Sequence, residues 1–367
     1  MDLARLEGWF RRFADIECRD LPMYHRLCHG VADHSDLLER LLIAAPGQWR
    51  PNLMLAALHD IVLWDPEVPL ARWYPTVGGA PDAAGDLIDA VRSTIETHPN
   101  RFAELIATRS TQTNEVNRST LWPLALAAAT ADVDAEVALL EIGPSAGLNL
   151  RFDEYDIRYV DSSGGTVGRF GTRSSPVHLR CEVRGDAPTV RHHVESTATV
   201  PPIVARIGID AAPVDLGDPD QRRWLKACIW PEQIERHERF DAAASHMVRR
   251  QAIDPLTLIR DDALDGLFDA VERFPAEAHL VVINSWMMTY LHRDRRSAFD
   301  RALDLLGDTR TLTHISAEGE GVESWVPAGD GPTDDTVVGI SRWRQGVRSD
   351  QRWALCHPHL TWFAPLD

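Results

Sequence analysis

The spacing of apolar positions changes character near residue 136. Before that point they recur at helical intervals. In "LARLEGWFRRF", Leu3, Leu6, Phe10 and Phe13 share one stripe. "DLLERLLIAA" follows, then "PNLMLAALHDIVLW", whose Pro51 suits a first helical position. "APDAAGDLIDAVRSTIETHP" ends at a proline that stops a helix. In "TNEVNRSTLWPLALAAA", Asn114 reads as a cap and Pro123 as a kink or a break. From Val137 onward, short apolar runs alternate with helical patterns. The strand-like runs are "VALLEIG", "IVARIGID", "PLTLIRDD", "HLVVINSW" and "RTLTHIS". Helical patterns such as 263–274 and 293–307 separate several of them, an alternation that predicts a parallel sheet covered on both faces. The last stretch, "DTVVGISRWRQGVRSDQRWALCHPHLTWF", reads instead as two longer strands joined by a polar turn.

The expected fold is therefore α/β: a helical region over 1–135 and a mostly parallel core over 136–367 that closes with an antiparallel hairpin. Two insertions are expected in the core. One spans about 151–200, where "IRYVDSSGGTVGRFG" marks a hairpin, and the other, helical, spans about 217–253.

Composition narrows the function. The chain of 367 residues carries a formal charge of −17, which argues against general nucleic-acid or anionic-membrane binding. No run approaches the ~18 apolar residues of a membrane span. Lys226 is the only lysine, so there is no Gly-Lys-Ser/Thr phosphate loop. The five cysteines are scattered without a C-x-x-C pair, and the residues after Met1 lack an apolar signal core; a reducing, cytoplasmic setting is expected.

The candidate chemistry sits in "VALLEIGPSAGLNL". Glycine after a strand permits turns that a Cβ forbids and bares backbone N–H groups. An acid at the strand end accepts hydrogen bonds from a hydroxyl or an amine. The E-x-G-x-S-x-G spacing of Glu141, Gly143, Ser145 and Gly147 resembles the first motif of class I S-adenosylmethionine-dependent methyltransferases, with Ser145 where that family has a glycine. The resemblance implies a Rossmann-like core, S-adenosylmethionine as cofactor and a small-molecule acceptor. It assigns the ribose acid to Asp210, with Asp161 as rival, and the adenine contact to Asp262, with Asp261 close behind. Asn284 and His314 fall on the acceptor side, followed by Glu318.

"EIGPSAGLNL", "DPDQRRWLKACIWPEQ" and "VVINSWMMTYL", together with "QTNEVNRS" and "LMLAALHD", resemble more closely a bacterial family of unknown function. That likeness runs along nearly the whole chain and assigns no activity. Two alternatives therefore remain open: a methyltransferase-like fold that takes another nucleotide-like ligand, and a non-catalytic binding protein.

Other residues have plainer readings. Asn114, Glu115 and Arg118 either cover the cofactor site or form a capped helix with a surface ion pair. His59-Asp60 resembles a phosphohydrolase metal doublet but lacks its companions, and His357 and His359 read as a strand-end polar cluster. No metal is expected. Trp230, Trp286, Trp325, Trp343 and Trp362 read as core residues, or as the lining of an apolar pocket.

Overall fold

The computed structural model describes residues 2–331 and 333–366. It divides into two compact units, Met1–Thr113 with Asp215–Asp241, and Asn114–Val214 with Ala242–Asp367.

The first unit is helical. It contains α1 (Leu3–Ile16), α2 (Pro22–Ala32), α3 (Ser35–Glu39), α4 (Pro51–Trp64), α5 (Leu87–Thr97) and α6 (Pro99–Thr108). The stripe on α1 buries Leu6, Phe10 and Ala14, and Asp2 caps the helix by accepting the Arg5 amide at 2.7 Å. Proline opens α2, α4 and α6, where its missing N–H costs nothing. Residues of α4 are buried almost all round, so this helix forms the centre of the unit. His59 and Asp60 lie within it as structural residues. His59 bonds the Ala227 carbonyl at 3.1 Å and Thr76 Oγ1 at 3.0 Å, and Asp60 pairs with Arg101 and Arg223.

The second unit begins with α7 (Leu121–Ala129). It continues through β1 (Val137–Ile142), β2 (Asp156–Val160), β3 (Thr166–Gly171), β4 (His178–Val183), α8 (Ala187–Ser196) and β5 (Ile203–Asp210). The chain then passes through α9 (Pro219–Ala227) of the helical unit, and α10 (Ile234–Gln251) contains the boundary. There follow β6 (Thr257–Arg260), α11 (Leu267–Glu272), β7 (His279–Ser285), α12 (Arg293–Gly307), β8 (Leu312–Gly319), β9 (Thr336–Arg344), β10 (Val347–Cys356) and β11 (Trp362–Pro365).

Among the described residues these strands form one sheet in the order β3-β2-β4-β11-β10-β9-β8-β7-β1-β5-β6. The stretch β6-β5-β1-β7-β8 is parallel and follows the 3-2-1-4-5 order of doubly wound sheets. β1 and β7 at its centre are buried on both faces, which explains their unbroken apolar runs. One face packs Ala138, Leu140, Ile142, Leu280 and Val282 against Leu267 and Val271 of α11 and Phe299 and Leu303 of α12. The expected C-terminal hairpin is β9–β10, joined at Gln345-Gly346.

The stretch 151–200 is not a detached insertion. Its three strands extend the same sheet, β4 pairing parallel with β11. Pro123 neither kinks nor divides a helix: it lies in the first turn of α7, and a separate 3₁₀ turn, Val116–Thr120, precedes it. The cap of that turn is Glu115, which accepts the Asn117 amide, and not Asn114. Trp343 is a buried core residue and Trp230 packs on the helical core, as the plainer reading of the tryptophans expects.

Candidate functional site

The strand order reverses between β1 and β7, and open α/β sheets bind ligands outside the carboxyl ends of strands at such a point. β1 runs there into Gly143–Gly147. Gly143 has φ +74°, Ser145 φ +53° and Gly147 φ +73°. Ser145 thus adopts a left-handed conformation that favours glycine, at the position where the related motif has one. The local cost is offset by Asp210 at the end of β5, whose Oδ2 accepts the Ser145 amide at 2.8 Å. The other oxygen, Oδ1, accepts the Ala212 amide at 2.8 Å. Asp210 is therefore the brace of the turn. Trp286, just beyond β7, is also left-handed, with φ +53°. Two non-glycine residues in this conformation thus lie at the strand-order switch, and strain of this kind clusters at binding sites.

Glu141 is the buried acid beneath the turn. Asn149, whose Oδ1 accepts from Ser119 Oγ at 2.8 Å, hydrogen-bonds its carboxyl, while Oε2 is buried without a partner. Burial, reinforced by the nearby Asp210 charge, pushes this carboxyl up to about 8, and Arg118 and Asn149 only partly oppose the rise. At neutral pH Glu141 is mostly protonated.

The polar segment 114–120 is buried throughout and does not form a surface ion pair. Asn114 Nδ2 donates to the Pro144 carbonyl at 2.7 Å, inside the glycine turn. Arg118 donates to the Ser285 carbonyl at 3.3 Å, at the end of β7, and to the Pro358 carbonyl at 3.0 Å. Asn117 Nδ2 reaches the Leu360 carbonyl at 2.7 Å and that of Arg180 at 3.0 Å. His359 Nδ1 lies 3.1 Å from Glu115 Oε2, so the terminal histidine cluster belongs to this network. A run of polar side chains between two apolar helical stretches was the sequence signal for this role. Asn149, which hydrogen-bonds the Glu141 carboxyl, carried no such signal.

Asn284 and His314 lie on the opposite face of the sheet, with α12. His314 Nε2 donates to Asn284 Oδ1 at 2.6 Å, and Asn284 Nδ2 donates to Ser316 Oγ and Glu318 Oε1, each at 2.9 Å. Glu318 also accepts the amides of Met287 at 2.8 Å and Met288 at 2.9 Å. Burial pushes His314 down to about 3, so it is a neutral hydrogen-bond donor and takes up no proton near neutrality. The acids on this side are Glu318, raised by burial, and Glu323, pushed up to about 7 by burial and the neighbouring Glu318.

The remaining candidates separate from the turn. Asp262 accepts the Leu264 amide at 2.8 Å and pairs with Arg295, so it caps the approach to α11. Asp161 is spent on its own hairpin turn, accepting the amides of Ser163 and Gly165. The structure thus brings together Glu141, Gly143, Ser145, Gly147 and Asp210, and it joins Asn284 to His314 as a second group. The link between the groups is Met287. Its amide is held by Glu318, and its Cγ would lie 2.3 Å from a Cβ placed on Gly143.

Fold and site define a doubly wound α/β protein with an acid-and-glycine turn at its strand-order switch and a separate helical unit. The chain belongs to the family described as "Uncharacterized protein conserved in bacteria (DUF2332)", whose model matches residues 7–364. No curated protein matches it. Among the described residues no helix is long and apolar enough to cross a membrane.

Proposed function

We propose that the sheet-bearing unit binds S-adenosylmethionine at the β1–β7 crevice and that its methyl group passes to a small acceptor. The observation that carries this reading is the Glu141 carboxyl, buried under a left-handed turn at the switch point with Oε2 lacking a partner. A ribose hydroxyl, which both accepts and donates, or an ammonium group that displaces the carboxyl proton would satisfy that oxygen. The turn Gly143–Gly147, whose amides are held by Ile209, Asp210 and Pro144, would form a fixed floor under the ligand. Bound S-adenosylmethionine supplies an electrophilic methyl group on a sulfonium. The residues of the chain bind and orient: Glu141 anchors, the turn fixes the approach, and Arg118 holds the β7 end in register with it. Methyl transfer is an in-line displacement, so alignment supplies much of the rate.

A ligand donor at Oε2 would draw Glu141 toward its ionised form, so binding near pH 7 should release close to one proton. Titration calorimetry with S-adenosylmethionine and S-adenosylhomocysteine, in two buffers of different ionisation heat, measures this. The expected result is saturable binding with proton release, weakened at least ~10-fold in Glu141→Ala. Absence of binding to the folded protein would remove the reading.

One observation favours a second reading, adenosine-like ligand binding without methyl transfer. Asn284 and His314 are bonded to each other and face away from Glu141, so neither offers an acceptor-side base to the turn. Binding without turnover on any small acceptor would support it.

A further inference from the structure

We propose a divalent transition-metal site of the zinc class in the helical unit, formed by Asp15, His25 and His29. His25 and His29 are four residues apart on α2 and therefore share one face. Asp15 comes from the last turn of α1. The three donor atoms converge on one point. Asp15 Oδ1 lies 2.9 Å from His29 Nε2 and 3.7 Å from His25 Nε2. Ligand atoms from all three residues lie within 4.8 Å of one another.

Donors at about 2.0–2.1 Å from a tetrahedral zinc ion stand about 3.3 Å apart, and the two measured separations bracket that value. Small side-chain rotations close the cage around an ion. The donor set, two imidazoles and one carboxylate, suits zinc and its neighbours better than calcium or magnesium, which take oxygen ligands. Three protein ligands leave a fourth position for water. The side chains are 61%, 40% and 31% exposed for Asp15, His25 and His29, so the ion has direct access from solvent. The imidazole ring centroids are 4.7 Å apart, so the two rings pack edge to face beside each other. Such an ion would clip α1 to α2 and stabilise the helical unit by binding only its folded form.

The test is calorimetric titration of the full chain with Zn²⁺ alone, paired with the absorption spectrum of the Co²⁺ form and thermal unfolding. One equivalent should bind the wild type, raise the unfolding temperature and give the visible bands of low-coordinate Co²⁺. His25→Ala and His29→Ala should each weaken binding at least ~10-fold, and Asp15→Asn should do so to a lesser degree. These residues are on the surface, so far-ultraviolet circular dichroism should show the variants folded. Zn²⁺ binding no tighter in the wild type than in the folded double-histidine variant would overturn the site.

Discussion

Glu141 and Asn284 stand one register position apart on adjacent parallel strands, yet they serve opposite faces of the sheet. β1 pairs with β7 so that Glu141 opposes Ile283 and Ile142 opposes Asn284. Ile142 and Asn284 therefore look toward α12, while Glu141 looks toward Asn149 and Arg118. Each polar group is satisfied, or left unsatisfied, on its own side. This relationship separates the buried Glu141 carboxyl from the amide network of Asn284.

The Glu141 carboxyl should impose a pH dependence on stability. Its folded value is raised to about 8 from the ordinary 4.5, so the folded state holds the proton more tightly than the unfolded chain. The stabilisation is complete below the ordinary glutamate range and is lost as pH rises through about 8. Glu141→Gln should match the wild type below about pH 4 and exceed it by roughly 2–4 kcal/mol near about pH 9. Urea unfolding across that range measures the difference, and equal slopes in the two proteins would contradict it.

Glu323 should report on the other face. It accepts from Ser316 Oγ at 3.1 Å and from Trp325 Nε1 at 3.1 Å, and its proton is held up to about 7. As pH rises through that value the carboxylate forms beside Glu318, and the environment of the Trp325 indole changes. The difference in tryptophan fluorescence between wild type and Glu323→Gln should titrate with a midpoint near about 7.

Gly143→Ala should be costly for two reasons. Its φ of +74° disfavours a side chain, and the new Cβ would meet Met287 Cγ at 2.3 Å. A loss of about 2–4 kcal/mol is expected. Met287→Ala should recover only the steric part, and a double-mutant cycle on thermal unfolding separates the two. Full additivity would mean that Met287 does not press on the turn.

Arg118 joins the turn between β10 and β11 to the switch point through the Pro358 and Ser285 carbonyls. Arg118→Ala should cost about 2–4 kcal/mol, because buried carbonyls lose charged donors. Arg118→Lys should recover part of this, since lysine keeps the charge and loses the planar fork. Amide exchange should quicken at Trp286 and Leu360 in the alanine variant, and protection there equal to wild type would argue against the bridging role.

Local pattern by itself determined a good deal. The helical stripe of α1, the apolar helix α4, the short apolar runs of the five parallel strands with their helical spacers, and the final hairpin follow from local apolar pattern. The acid-and-glycine turn after β1 was legible because positive φ and an exposed backbone need small residues within a few positions. Tertiary structure decided the rest. Register between β1 and β7 depends on packing across the sheet, and one residue of offset sent Glu141 and Asn284 to opposite faces. Burial, which no local window measures, lowers the His314 imidazole and raises the Glu141 carboxyl. The segment 114–120 leaves two readings open, a cover over the site or a capped surface helix, until folding surrounds it with the carbonyls of Pro144, Ser285 and Leu360, contributed by residues distant in sequence. Such partners are fixed only when the chain closes on itself, because hydrogen-bond satisfaction inside a fold is a property of position in space.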